Sequence, residues 1–268
     1  MDPPELAVSA PRTCRTCRGP VRPGYAQCYQ CDLAVQTAPG LLADVVAPIA
    51  YAVKGGDLAR DLRWYKSGRE DAAQPRKRLA DMLAGFLRSH GDEVWRAAGM
   101  TGPPGAVAVV PSGQGRPGDH PLLQVVTTVT APLPVIPLSV RPGEAARGRV
   151  VTTRWLRVHG QPAALAQAAQ PEGLAAQPAG LDVLLVDDTW VSGASAQSAA
   201  AALKLAGAAR VAAVVLGRHI DPADPRAADF ARKIPGLNAS NSSFFSLGNC
   251  IHLIARYAVL AGNDHSLR

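Results

Sequence analysis

Residues 181–220 hold the feature that most limits how this chain can fold. The apolar run LDVLLV passes through DDTWVSGA into SAQSAAAALKLAGA, and a second apolar run, RVAAVVLGRHI, follows. Neither run alternates polar with apolar residues, which is the pattern of a strand covered on both faces. The segment between them, about 13 residues rich in Ala, Leu and Ser, has the length and composition of a helix. Ser195 stands where an N-cap belongs, and Gly207 stands near the C-terminal stop. Strand, helix, strand at this spacing is a βαβ unit, so the two strands run parallel and the crossover is right-handed.

An open parallel sheet binds ligands beyond the carboxyl ends of its strands. The run VLLV delivers Asp187 and Asp188 to that edge, and TWVSGAS then turns into the start of the next helix. The backbone N–H groups there, the hydroxyls of Thr189, Ser192 and Ser195, and the positive end of the helix dipole suit a phosphate. Gly193 permits a close backbone approach. Two carboxylates aimed into such a nest would repel the anion. They make sense aimed at neighbouring hydroxyls or at a magnesium ion. A phosphate beside a diol describes a ribose 5-phosphate.

The remainder alternates in the same style. A short strand is expected around Ala50–Val53, then a Gly-Gly turn and a helix carrying Leu58, Leu62 and Tyr65 at helical spacing. A second helix, over 75–90, carries Leu79, Met82, Leu83, Phe86 and Leu87 on one face, with Pro75 in its first turn. Trp64, Tyr65 and Trp95 take core positions. Ala106–Val110 reads as a buried strand opening into a Gly-rich loop, and LPVIPL (133–138) reads as an edge strand because of its prolines. Residues 141–154 hold four arginines and two glycines and read as a loop or hairpin. Residues 160–180 contain at most a short helix.

The N-terminal region carries different information. Cys14, Cys17, Cys28 and Cys31 form two C-x2-C pairs separated by ten residues. Each pair suits a tight knuckle, and two knuckles joined by a hairpin complete a closed tetrahedral sulfur set around structural zinc. So short a segment cannot bury a core sufficient to fold alone, so the metal supplies much of its folding free energy. A pair of disulfides is the alternative, and a cytosolic chain argues against it. Cys250, with His252 nearby, reads as a buried free thiol.

Composition sets outer bounds. The chain has 268 residues, 47% hydrophobic and 18% charged, enough for one substantial domain plus an appendage. No stretch reaches the roughly 18 apolar residues of a membrane span. The Pro-rich N-terminus has no signal-peptide core, so a soluble cytoplasmic protein with no membrane partner is expected. A formal net charge of +7 fits nucleic acid or small phosphorylated ligands equally well.

The stretch VLLVDDTWVSGAS resembles the 5-phosphoribosyl 1-pyrophosphate (PRPP) motif of type I phosphoribosyltransferases: four apolar residues, two acids and a short Thr/Ser/Gly loop. The resemblance implies that Asp187 and Asp188 contact the ribose hydroxyls. Thr189 extends the motif, and Val191, Ser192, Gly193, Ala194 and Ser195 cradle the 5′-phosphate. Thr189 and Trp190 depart from the aliphatic residues commoner there. With a cysteine ribbon ahead of such a domain, with YAVKGGDLARDLRWYKSGR and with VAVVPSGQGR, the chain is similar to the ComF family over roughly residues 14–218. That implies pyrophosphate contacts from Ser112, Gly113, Gln114, Gly115 and Arg116, with Lys66 a further candidate. RPGDHPL replaces the family's Arg-Gly-x-Asn-Gln stretch. The family's Gln-containing mobile segment is replaced by RPGEAARGRVVTTRW, where Arg141, Arg147 and Arg149 either close over the substrate or form a solvated basic loop.

Three units are thus expected: 1–38 with the zinc ribbon, 39–220 as a parallel-sheet α/β domain of the type I phosphoribosyltransferase kind, and 221–268 as a C-terminal extension. The expected ligand is PRPP, or another ribose 5-phosphate ester, with magnesium. The chemistry would be transfer of the phosphoribosyl group to an unspecified acceptor. His120 and His219 read as structural or exposed rather than as bases. The alternative is a non-catalytic ComF-like accessory protein binding single-stranded DNA during DNA uptake through the basic residues 54–78, with self-association left open.

Overall fold

The computed structural model describes residues 13–67, 70–111, 120–140, 151–152, 156–158, 177–225, 227–228 and 230. The elements run α1 (Tyr29–Thr37), β1 (Val45–Val53), α2 (Asp57–Trp64), α3 (Ala73–Ala97), β2 (Ala106–Val109), α4 (Pro121–Thr130), β3 (Val135–Ile136), β4 (Leu138–Val140), β5 (Leu156–Val158), β6 (Asp182–Trp190), α5 (Ala194–Leu205) and β7 (Arg210–Ile220). The fold is mixed α/β. Its main sheet has five strands in the order β1-β7-β6-β2-β3, with every neighbouring pair parallel. A small antiparallel pair, β4 and β5, brackets the arginine-rich stretch.

The unbroken apolar strands are covered on both faces, as their composition requires. Val183 and Leu185 of β6, with Ala213 and Val215 of β7, face α5. Leu184, Val186, Ala212 and Val214 face the other way, into a core built with α2, α3 and α4. α3 supplies that core with Leu79, Met82, Leu83 and Phe86, then runs on through Val94 and Trp95 to Ala97, well past the expected end at 90. β1 also extends beyond the expected stretch and includes Pro48. It pairs only with β7 and forms a sheet edge, where a missing N–H is tolerated. β3, flanked by Pro134 and Pro137, closes the opposite edge. Trp64 departs from the core position expected of it, at 48% exposed. Among the described residues no helix is long and apolar enough to cross a membrane.

The connections decide where a ligand can sit. β2 leads through α4 to β3 on one side, while β6 leads through α5 to β7 on the other. The strand order therefore reverses between the neighbours β2 and β6. In open α/β sheets the crevice at such a switch point, beyond the strand carboxyl ends, is where ligands bind.

Candidate functional site

Asp187 and Asp188 lie on β6 at this switch point, each 8% exposed. Successive strand residues point to opposite faces, so the two side chains leave β6 in different directions at its carboxyl end. Asp187 Oδ1 accepts the backbone N–H of Asp188 at 2.9 Å. Burial pushes the Asp187 carboxyl up to about 8, and the adjacent Asp188 charge adds to the effect. Asp188 is held differently. Its Oδ2 accepts the phenol proton of Tyr65 and also pairs with the Lys66 ammonium. Tyr65 follows directly on the last residue of α2 and is fully buried. Burial, then the Asp188 charge, hold its phenol far above the ordinary range, so it stays a proton donor. His120, at the N-cap of α4, completes the surroundings. Burial lowers its pKa, with the Asp188 charge opposing and Lys66 assisting. Its Nδ1 has no partner among the described residues.

The turn after β6 is built around Gly193, which is the N-cap of α5 at φ +83°. Any side chain there would run into the buried Trp190 ring, so both conformation and space demand glycine. Ser195, expected as the cap, is the second residue of the helix instead, because Gly193 already makes the turn. Ser192 Oγ accepts the N–H of Ala194 at 3.3 Å. Val191 is exposed, Ser192, Ser195 and Thr189 are half-buried, and Gly193 and Ala194 are buried. The first-turn N–H groups of α5 have no intrahelical acceptor, as at any helix start. Arg218 of β7 fixes the turn from below, its Nη1 donating to the carbonyls of Trp190 at 3.0 Å and Val191 at 3.3 Å.

The four N-terminal cysteines converge. Their Sγ atoms all lie within 4.8 Å of one another, close enough to bind one metal ion. Cys17 and Cys28 stand 3.8 Å apart, far beyond a disulfide bond. A zinc–sulfur bond of about 2.3 Å gives a tetrahedral edge of about 3.8 Å, so the spacing fits this ion. The first knuckle is closed by Cys14 N–H donating to Gly19 O at 2.7 Å and Arg18 N–H donating to Cys14 O at 2.9 Å. Cys28 caps α1 and Cys31 lies in that helix's first turn, so the second knuckle is a helix start. With four sulfur donors the set is closed, which suits a structural ion.

Several expected site residues fall elsewhere. Ser112, Gly113, Gln114, Gly115 and Arg116, the arginines 141, 147 and 149, and Cys250 with His252 lie outside the described residues. Within 54–78, five basic residues are matched to acids: Lys54 with Asp221 at 2.8 Å, Arg60 with Asp57 at 2.8 Å, Lys66 with Asp188, Lys77 with Asp81 at 2.6 Å and Arg78 with the buried Asp61 at 2.5 Å. Lys66 and Arg78 reach buried acids, whereas Lys54, Arg60 and Lys77 are paired at the surface. His219 is half-buried and burial lowers its pKa, which keeps it neutral. The sequence places Tyr65 in the core and His120 as structural or exposed; the hydrogen bond of Tyr65 to Asp188 and the influence of the Asp188 charge on His120 arise only in the fold.

No protein-family model matches this chain, and no curated protein matches it.

Proposed function

We propose that this protein binds PRPP or a related ribose 5-phosphate ester at the β2/β6 switch point, in the manner of a type I phosphoribosyltransferase of the ComF kind. The observation that carries the reading is the juxtaposition on β6 and α5. Two buried carboxylates sit immediately before a glycine-capped helix start, at the place where an open sheet reverses its order. The first-turn amides of α5 and the hydroxyls of Ser192 and Ser195 take the 5′-phosphate. Asp187 and Asp188 take the ribose hydroxyls.

Chemically, pyrophosphate leaves C1 of the ribose with the bonding electron pair, and an acceptor donates a pair to the same carbon. The protein orients the ester and shields the cation-like transition state. Magnesium bound with the pyrophosphate supplies charge neutralisation, and the oxygen-only donors of Asp187 and Asp188 suit that ion. Lys66 is positioned to exchange Asp188 for an incoming phosphate oxygen, because its side chain is 44% exposed while its partner is buried. The cysteine site is assigned to structural zinc, from its four-sulfur donor set and tetrahedral spacing.

Isothermal titration of PRPP with magnesium into the protein tests the assignment. Heat is expected from the wild type and is lost in the Asp187→Asn/Asp188→Asn double variant. Equal binding in the two proteins would remove the carboxylates from the site.

A further inference from the structure

One side chain touches both of the regions described above. Arg218 lies on β7, beside β6, and is 8% exposed. Its Nη1 donates to the carbonyls of Trp190, Val191 and His219, the last at 2.7 Å. The other side of the same guanidinium lies against Gly19, so closely that any side chain at Gly19 would overlap it. Gly19 closes the Cys14–Cys17 knuckle through its hydrogen bond from Cys14. Its neighbour Arg18 is buried at φ +56°, and Tyr51 of β1 donates to the Arg18 carbonyl at 2.8 Å. Trp190 belongs to the same apolar cluster as Cys14, Cys17 and Cys31.

The packing of the knuckle on Arg218 makes this contact responsive to metal. Four thiolates around a divalent ion leave the centre two units negative. Arg18 and Arg218 are buried cations at its edge, and they balance that charge where water cannot. When the ion leaves, the knuckle that covers Arg218 loses its anchor. The donor shared by the Trp190 and Val191 carbonyls goes with it.

We propose that Arg218 is a positioning residue that couples metal occupancy of the cysteine site to the shape of the 190–193 turn at the head of α5. The coupling stands on geometry alone, whereas its consequence for ligand affinity rests on the ribose-phosphate reading of that turn.

Hydrogen–deuterium exchange on the full chain, zinc-loaded and after chelation, tests it. Amides of 188–197 are expected to exchange at least about tenfold faster without metal, while those of 79–95 in α3 stay protected. Arg218→Met produces the fast exchange with metal bound and makes the turn indifferent to chelation. Arg218→Lys keeps the charge and restores part of the metal dependence. Gly19→Ala, which crowds the guanidinium without changing charge, gives the Arg218→Met pattern in a protein that still binds metal. A turn unaffected by chelation, or a Gly19→Ala turn exchanging as in the wild type, overturns the coupling. Loss of α3 protection in step with the turn also overturns it, because the ion would then hold the whole fold. PRPP with magnesium titrated into the same samples separates the two readings. No heat from the zinc-loaded wild type refutes the ribose-phosphate reading alone, and heat insensitive to chelation in samples whose turn exchange responds to it places the ligand away from the turn and refutes that reading too.

Discussion

Cys14 to Cys31 converge on one point from within 18 residues, whereas Asp188 is held by a tyrosine 123 positions away. Both places concentrate negative charge out of water, and they resolve the cost by different means. The ribbon brings four like donors together so that a cation can neutralise them, and its geometry is complete within a short loop and one helix turn. The β6 edge separates its two acids onto opposite faces. Asp187 is left to hold a proton, while Asp188 is given Tyr65 and Lys66. A site of the first kind is finished once its metal is bound. One of the second kind keeps exchangeable partners, as a ligand site requires.

The largest effect separating the two regions is expected from metal removal. Structural zinc in small ribbons carries on the order of 10 kcal/mol of apparent binding free energy, so chelation or Cys17→Ser should abolish protection of the 14–31 amides. Metal analysis should find one ion per chain, and cobalt substitution should give sulfur-to-cobalt charge-transfer bands. An intact 14–31 segment without metal would erase the distinction between the regions.

The β6 edge should instead report through pH. The Asp187 carboxyl titrates near 8 in the fold and near 3.8 when exposed, so the unfolded chain loses its proton first as pH rises. Stability from this group is therefore full below about pH 4 and falls by up to about 1.4 kcal/mol per pH unit until about 8. His120 and His219, lowered by burial, work in the opposite sense as pH rises toward their ordinary value. The difference between wild-type and Asp187→Asn urea midpoints across pH 4–9 isolates the carboxyl, and it should widen in favour of the variant. A difference that stays constant would place Asp187 in water.

Gly193→Ala comes next. A left-handed backbone and the Trp190 ring together oppose a methyl group, and about 3 kcal/mol of stability should be lost in urea unfolding. A neutral outcome would mean that the turn rearranges freely. A smaller effect is expected from Tyr65→Phe. Removing one hydrogen bond from a carboxylate that keeps Lys66 should cost about 1–2 kcal/mol. Lys66→Met should cost less, because the ammonium side of that pair is solvated.

What could be read from the sequence follows the same division. The cysteine spacing is local information, and the four sulfurs do meet. The βαβ unit over 181–220 is written in two unbroken apolar runs, and the parallel sheet follows from it. Element ends were less legible. Pro48 hides β1 from a strand pattern although an edge position accepts it, and Gly193 rather than Ser195 caps α5 because the turn's handedness outranks a side-chain hydrogen bond. α4 buries Leu122, Val125, Val126 and Thr130 at helical spacing, but its run of β-branched Val and Thr favours a strand and masks that stripe. At the site, adjacency in the chain reveals the Asp pair but not its partners. Tyr65 looks like one more apolar position of α2, and only the packing of that helix against β1 and β7 brings its hydroxyl to Asp188.

The most direct measurement is a crystal structure of the zinc-loaded protein soaked with PRPP and magnesium. The account predicts the 5′-phosphate against the backbone amides of 191–195, with the ribose hydroxyls bonded to Asp187 and Asp188. Density for PRPP anywhere else on the molecule, or a turn at 191–195 that stays empty while PRPP is bound, would contradict it.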